Sequence, residues 1–161
     1  MSVREFIEAM PKVDLNIQLT GTLKADTLLM IANQNGVPDE IKNFDQWVEL
    51  LNNPDYDRID EIAEVTGKWV KYPEDIAHVV YDLGVSLSKQ NVQYAEVVVS
   101  PAHFMETEGI GIEVLLEALN DGRDRAVRGW NVKMSWIFAI PYDNPRVGDD
   151  VARWATGATA R

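Results

Sequence analysis

A strictly alternating stretch at residues 13–20 limits the fold more than any other part of this sequence. Its apolar residues are Val13, Leu15, Ile17 and Leu19, and its polar residues are Asp14, Asn16, Gln18 and Thr20. A period of two places the two sets on opposite faces of a β-strand. Gly21 follows at once, and then a one-sided apolar pattern that reaches Gly36. The stretch therefore predicts a strand, a turn and a helix that ends at a glycine.

The same order of strand and helix continues along the chain. Residues 94–101 and 132–140 are rich in β-branched and aromatic residues and end at prolines, which predicts two more strands. Helical patterns run from Pro73 to about Lys89, over residues 114–127, and from a cap at Asp149 onward. Residues 43–70 form a helical insertion after the first strand and helix, with a capping box at Asn43 and Gln46. We expect an α/β fold of three parallel strands with helical crossovers.

Size and charge exclude several classes of function. The chain has 161 residues, no cysteine and a formal net charge of −11, and it has no cluster of basic residues. Nucleic acid is therefore not an expected partner, because binding to it depends on clustered Lys and Arg. No apolar run approaches the ~20 residues needed to span a bilayer, and the N-terminus does not resemble a signal peptide. We expect a cytoplasmic protein with no membrane partner.

The sequence has few residues suited to catalysis. Its two histidines, His78 and His103, have no second histidine or cysteine at metal-ligand spacing. We predict surface or packing roles for both, although His103 follows a strand end, where barrel active sites lie. Gly109 and Gly111 lack the rest of a dinucleotide-binding motif, and Ser86 lies inside a predicted helix rather than at a nucleophile elbow.

Two motifs in the correct order resemble the adenosine deaminase family. The first runs from Met10 through Pro-Lys-Val-Asp-Leu to Leu19-x-Gly21-Thr22-Leu23, where the family usually has Pro-Lys-Val-Glu-Leu-His-x-His-Leu-x-Gly. The second, Tyr94-Ala95-Glu96-Val97-x-x-Ser100-Pro101, is similar to the family's Tyr-x-Glu-Val-Arg-x-Ser-Pro strand. The resemblance implies that the chain is the N-terminal part, about three β/α units, of a TIM-type (β/α)8 barrel.

The resemblance also implies a chemistry that this sequence does not support. The family binds one zinc ion, whose hydroxide attacks an aminopurine ring in hydrolytic deamination. At the two histidine positions of the first strand this chain has Asn16 and Gln18, and amides are poor zinc ligands. Thr20 replaces a usually acidic residue, Val98 replaces an arginine, and the family's later catalytic strands lie beyond Arg161. We therefore predict no catalytic residue, no metal ligand and no cofactor, with the family's zinc lost.

Three hypotheses follow for the function. The first is the N-terminal portion of an adenosine deaminase, residues 1–161 forming a single incomplete barrel domain without activity. The second is a non-enzymatic module that binds a purine nucleoside through Asn16, Gln18, Thr20 and Gly21, or binds a protein. The third is a different hydrolase that uses Asp14, Glu96 and His103, with a relocated metal or none.

The predicted sheet also suggests association. Three strands leave two free edges, and free edges pair with other strands. We expect either a homo-oligomer or pairing with the remainder of a longer barrel. A chain that reaches Arg161 inside a predicted helix leads us to expect the longer barrel.

Overall fold

The computed structural model of the protein describes residues 2–107, 109–142 and 144–158. The strands are β1 (Lys12–Gln18), β2 (Val92–Val99) and β3 (Lys133–Phe138). The helices are α1 (Val3–Ala9), α2 (Ala25–Gln34), α3 (Val37–Glu40), α4 (Phe44–Asn52), α5 (Ile59–Gly67), α6 (Pro73–Lys89), α7 (Pro101–Thr107), α8 (Ile112–Trp130) and α9 (Pro145–Ala158). Two short 3-10 turns, Leu19–Thr22 and Tyr56–Arg58, complete the described elements.

The three strands form one parallel sheet in the order β1-β2-β3. Helix α6 connects β1 to β2 after the α3–α5 insertion, and α8 connects β2 to β3. The predicted alternation of strands and helices is confirmed, because parallel strands need such crossovers. β2 pairs with β3 without interruption from Tyr94–Lys133 to Val99–Phe138.

The core lies between one face of the sheet and the helices α6 and α8. Ala95, Val97 and Val99 of β2 are buried there with Val80 of α6 and Leu119 of α8. Every second side chain of β2 therefore faces the helices, as expected for a half-buried strand.

β1 departs from the strict alternation that its sequence predicts. Its register against β2 shifts between Asp14 and Ile17, so that three residues of β1 span two of β2. Asp14 and Ile17 consequently line the same pocket, beside Leu83 and Ser86 of α6. The prediction that the apolar and polar sets occupy opposite faces is thus wrong at Asp14, because a bulge changes the phase of the strand.

Two of the predicted helix caps are also wrong, whereas the first is confirmed. Ser2 Oγ accepts a hydrogen bond from the Glu5 amide at 3.2 Å, and Glu5 Oε2 accepts one from the Ser2 amide at 2.7 Å. Asn43 has a φ of 61° and makes no side-chain cap with α4. Asp149 lies inside α9, which begins at Pro145 and is capped by Asn144, whose Oδ1 accepts from the Val147 amide at 3.5 Å. α4 therefore begins directly after Asn43, as predicted, but without the capping box, whereas α9 begins before the predicted cap at Asp149.

In the described part of the chain, no helix combines the length and the apolar character needed to cross a membrane.

Candidate functional site

The carboxyl ends of β1 and β2 meet at one edge of the sheet, and the turn after β1 packs there against the helices. Parallel α/β sheets bind ligands at this edge, because the loops that follow the strands converge on it. The candidate site therefore comprises the end of β1, the turn Leu19–Thr22, the start of α7 after β2, and α5 of the insertion.

Asn16 and Gln18 leave β1 on the same side and are both exposed. Gln18 Nε2 donates to Asn16 Oδ1 at 3.4 Å, a long and weak hydrogen bond. Each amide therefore has donor and acceptor capacity left for a ligand. The structure brings these two predicted residues together, as their spacing predicts.

β2 and β3 place further side chains beside the two amides. We call the surface formed by Asn16, Gln18, Glu96, Val98 and Ile137 the open sheet face. Gln18 pairs with Val98, and Val98 pairs with Ile137, so one row crosses all three strands near their carboxyl ends. Ile137 is 41% exposed. Glu96 accepts from Tyr94 Oη at 3.2 Å. The face therefore offers amides, one carboxylate and an apolar strip to the same ligand.

Thr20 and Gly21, the other two predicted site residues, differ in their surroundings. Thr20 is half-buried and lines a pocket of about 330 Å³ with Ala63, Glu64, Ser100 and His103. Gly21 is exposed, and a Cβ there would lie 3.7 Å from Gln18 Cβ, an ordinary contact. Thr20 can therefore contact a ligand with its side chain, whereas nothing in the local packing requires glycine at position 21.

His103 packs against the insertion, a contact that the sequence analysis missed. A Cβ on Gly67 of α5 would lie 3.1 Å from His103 Nε2, a tight contact, so α5 approaches the His103 ring closely at this glycine. The His103 ring also meets Phe104 edge to face, with ring centroids 5.3 Å apart. Its Nε2 is buried, and no described residue hydrogen-bonds to it. The packing role predicted for His103 agrees with this placement.

Asp14, Glu96 and His103 are not brought together as one catalytic group. Asp14 lines a pocket with Ser86 of α6, Glu96 accepts from Tyr94, and His103 packs against α5. His78 lies on α6, with Nε2 3.9 Å from Asp82 Oδ2. The hydrolase hypothesis thus has no shared geometry among the described side chains.

The described side chains do not fit the zinc ion of the resembled family. Zinc sites are built from histidine, cysteine and carboxylate ligands, and the two β1 positions hold the amides of Asn16 and Gln18. Over residues 2–107, 109–142 and 144–158, no group of three or more His, Cys, Asp or Glu side chains could hold a metal ion.

One ion pair in the insertion changes the pKa of its partners. Arg58 Nε donates to Glu61 Oε2 at 2.8 Å. This hydrogen bond and the charge of Arg58 lower the pKa of Glu61, and the reciprocal interaction raises the pKa of Arg58. Both groups are solvent-exposed, so the pair orders the start of α5 without contributing a large stabilisation.

Comparisons with known proteins agree on one family. The family model for adenosine deaminase matches residues 11–159. The chain is 27% identical over 138 residues to an uncharacterised deaminase of Schizosaccharomyces pombe, covering 86% of this chain and 40% of the relative. It is 26% identical over 133 residues to an adenosine deaminase of Clostridium botulinum, covering 80% of this chain and 40% of the relative.

Solved structures show the same fold. A zinc-containing amidohydrolase from Burkholderia ambifaria matches with a TM-score of 0.81 and 21% identity, over 98% of this chain and 44% of that one. The N6-methyl-AMP deaminase of Arabidopsis thaliana matches with a TM-score of 0.69 and 17% identity, over 83% of this chain and 41% of that one.

The chain spans about 40% of the length of the curated relatives that it matches. Its three β/α units correspond to the N-terminal part of the TIM-type barrel of these amidohydrolases, which confirms the predicted fold class. Since the family model matches all of the chain except the first ten and the last two residues, the chain belongs to the adenosine deaminase family.

Proposed function

We propose that the open sheet face binds a purine nucleoside without deaminating it. The observation that carries the proposal is the pair of exposed amides on β1, Asn16 and Gln18, at the two positions where the family usually has histidines. A zinc-activated water is the nucleophile that the family's reaction needs at neutral pH. Two amides supply neither a strong metal ligand nor a proton acceptor for that reaction.

The chemistry of the face suits an aminopurine. A purine edge alternates hydrogen-bond donors and acceptors, and a side-chain amide offers both types of group. Val98 and Ile137 form an apolar strip beside Gln18 on which a flat ring can lie. The pocket around Thr20, Ser100 and His103 lies next to this face and supplies hydroxyl groups for a ribose.

Isothermal titration calorimetry with adenosine and inosine tests the proposal. We expect saturable binding that is weakened about two- to tenfold by Asn16→Ala or Gln18→Ala, since a neutral hydrogen bond contributes about 0.5–1.5 kcal/mol. Asn33→Ala is the matched control, because Asn33 is an exposed amide whose Nδ2 donates to Leu29 O on α2. Absence of heat up to about 5 mM ligand, a limit near −3 kcal/mol for the binding free energy, would contradict the proposal.

The hydrolase alternative is separated from binding by a turnover assay. The chain is incubated with adenosine and other aminopurines, with and without added zinc, and ammonia release is measured. We expect no turnover in either condition. Turnover that depends on Asp14, Glu96 or His103 would favour the third hypothesis instead.

We also propose that the sheet edges are binding surfaces for further strands. In the described chain β1 pairs with β2 alone, and so does β3, which leaves one edge of each strand free. Val13 and Leu15 on β1 are 59% and 56% exposed, and Phe6 on α1 is 52% exposed. Exposed apolar residues beside a free edge favour association, either with a second copy or with the remaining strands of a barrel.

A further inference from the structure

The helical insertion, residues 36–70, begins and ends beside one buried carboxylate. Asp75 is 7% exposed and lies in the first turn of α6. Its Oδ2 accepts hydrogen bonds from Asn35 Nδ2 at 2.7 Å, from the Tyr72 amide at 3.0 Å and from the Lys71 amide at 3.1 Å. Three donors and the positive end of a helix compensate for burying this charge.

These bonds join the two ends of the insertion. Asn35 is the C-cap residue of α2, directly before the insertion, and its Nδ2 also donates to the carbonyl of Trp69 at 2.9 Å. Lys71, just after the insertion, extends its Nζ to Glu40 Oε2 of α3 at 2.6 Å. The part-buried pair of Asn35 and Asp75 thus joins the two ends of a segment of about 35 residues.

The body of the insertion packs on the main hydrophobic core, mostly through part-buried apolar side chains of α4 and α5. α4 has no buried residue, and α5 buries Ile62, Thr66 and Gly67. Trp69, which is 1% exposed, contacts Phe44 of α4 with ring centroids 5.6 Å apart. Because α4 has no fully buried residue and α5 has three, the polar bonds at the base add to this packing in fixing the position of both helices.

The position of α5 determines the shape of the candidate site. Ala63 and Glu64 line the pocket of about 330 Å³ with Thr20, Ser100 and His103. Gly67 of the same helix lies against His103. A displacement of α5 therefore removes one wall of this pocket.

We propose that Asn35 and Asp75 are positioning residues that hold the α3–α5 insertion over the carboxyl ends of β1 and β2. The consequence for ligand binding rests on the nucleoside-binding function proposed above, whereas the effect on the insertion does not. Neither residue lines the pocket, so they act through the position of α5.

The chain provides a matched control for each residue. Asp82 also connects α6 to α2, because it accepts a hydrogen bond from Thr27 Oγ1. Thr27 lies on α2 and not in the insertion, so this bond does not join the two ends of the insertion. Asn33 lies on α2, the helix that Asn35 caps, and donates to a carbonyl of that helix. Asp75→Ala is therefore compared with Asp82→Ala, and Asn35→Ala with Asn33→Ala.

Hydrogen exchange followed by mass spectrometry measures the insertion directly. We expect amides of residues 62–67 to exchange about tenfold faster or more in Asp75→Ala and Asn35→Ala, because a hydrogen bond to a charged group stabilises a local closed state by that factor. Amides of Ala95, Val97 and Val99 in β2 should keep their wild-type protection. Both control variants should leave residues 62–67 unchanged.

Calorimetry with adenosine on the same four variants then tests the effect on the site. We expect weaker binding in Asp75→Ala and Asn35→Ala and wild-type binding in the two controls. If Asp75→Ala does not fold, Asn35→Ala decides, because it leaves the Tyr72 and Lys71 bonds to Asp75 in place.

Wild-type protection of residues 62–67 in Asn35→Ala would overturn the positioning role. A loss of protection in β2 as large as that in residues 62–67 would overturn it too, because the whole fold would then be destabilised. If the insertion opens but adenosine binds as in the wild type, the link from these residues to the ligand is overturned and the binding function stands. If no variant and not even the wild type binds adenosine, the proposed function fails and the exchange result alone decides the role of the pair.

Discussion

At the level of single residues, β1 combines two different kinds of side chain. Asn16 and Gln18 face the solvent with unused hydrogen-bonding capacity, whereas Lys12 is occupied by backbone carbonyls. Lys12 Nζ donates to Met10 O at 2.8 Å, Gln90 O at 2.9 Å and Glu8 O at 3.3 Å. Lys12 thus joins the ends of α1 and α6, so its role in the motif is structural.

Replacing Lys12 should therefore reduce stability. We expect Lys12→Met to lower the free energy of unfolding by about 1–3 kcal/mol, since three carbonyls lose a charged donor. Lys89→Met is the control, because Lys89 is exposed near the same end of α6. Urea denaturation followed by circular dichroism measures both, and an equal change in the two variants would contradict the assigned role.

At the level of elements, two glycines mark a close approach between α6 and α8. A Cβ on Gly122 would lie 2.4 Å from Ala77 O and 2.7 Å from Val80 Cβ, and one on Gly84 would lie 2.4 Å from Ala126 Cβ. Distances this short cannot be accommodated without moving a helix. The two glycines therefore fix how the crossover helices pack on the sheet.

Gly122→Ala should accordingly destabilise the protein by about 1–3 kcal/mol, the usual cost of overpacking a core. Gly129→Ala, on the same helix, has no atom within 4 Å of its added Cβ. That variant should instead be more stable by about 0.4–1 kcal/mol, because alanine restricts the unfolded chain more than glycine does. Thermal unfolding of both variants tests the assignment, and the same sign of change in both would contradict it.

The sequence predicted the strands and helices whose residue periodicity is strong. It did not predict the features that depend on contacts between elements. The strands around Val97 and Trp136, and the long α6, follow from residue patterns that burial then confirms. The bulge between Asp14 and Ile17 depends on the pairing of β1 with β2, which no pattern within β1 encodes. The spacing of Asn16 and Gln18 predicted their shared side, but the wall formed by α5 and Gly67 arises from tertiary packing.

At the level of the whole molecule, the free edges of β1 and β3 and the high negative charge have opposite effects on self-association. The exposed apolar residues on α1 and β1 favour association, while the net charge of −11 opposes it between identical chains. Salt screens such repulsion over roughly 10 Å at 0.1 M. Any self-association of this chain should therefore strengthen as salt is added.

Light scattering coupled to gel filtration measures this balance. We expect a dimer or larger species whose fraction increases between low and high salt, and Leu15→Glu should reduce it because it adds charge to the exposed strand. Leu15 is more than half exposed, so the substitution leaves the core intact. A monomer at every salt concentration would show that copies of this chain do not pair through their free edges.

The most direct test of the account is the zinc affinity of the purified chain, measured by competition with a chromogenic chelator. We predict no zinc bound at one equivalent in the wild type, because the β1 positions hold amides and not imidazoles. The double variant Asn16→His with Gln18→His should bind zinc at least about tenfold more tightly, the scale lost when even one supporting group of a metal site is removed. Stoichiometric, tightly held zinc in the wild-type chain would contradict the account.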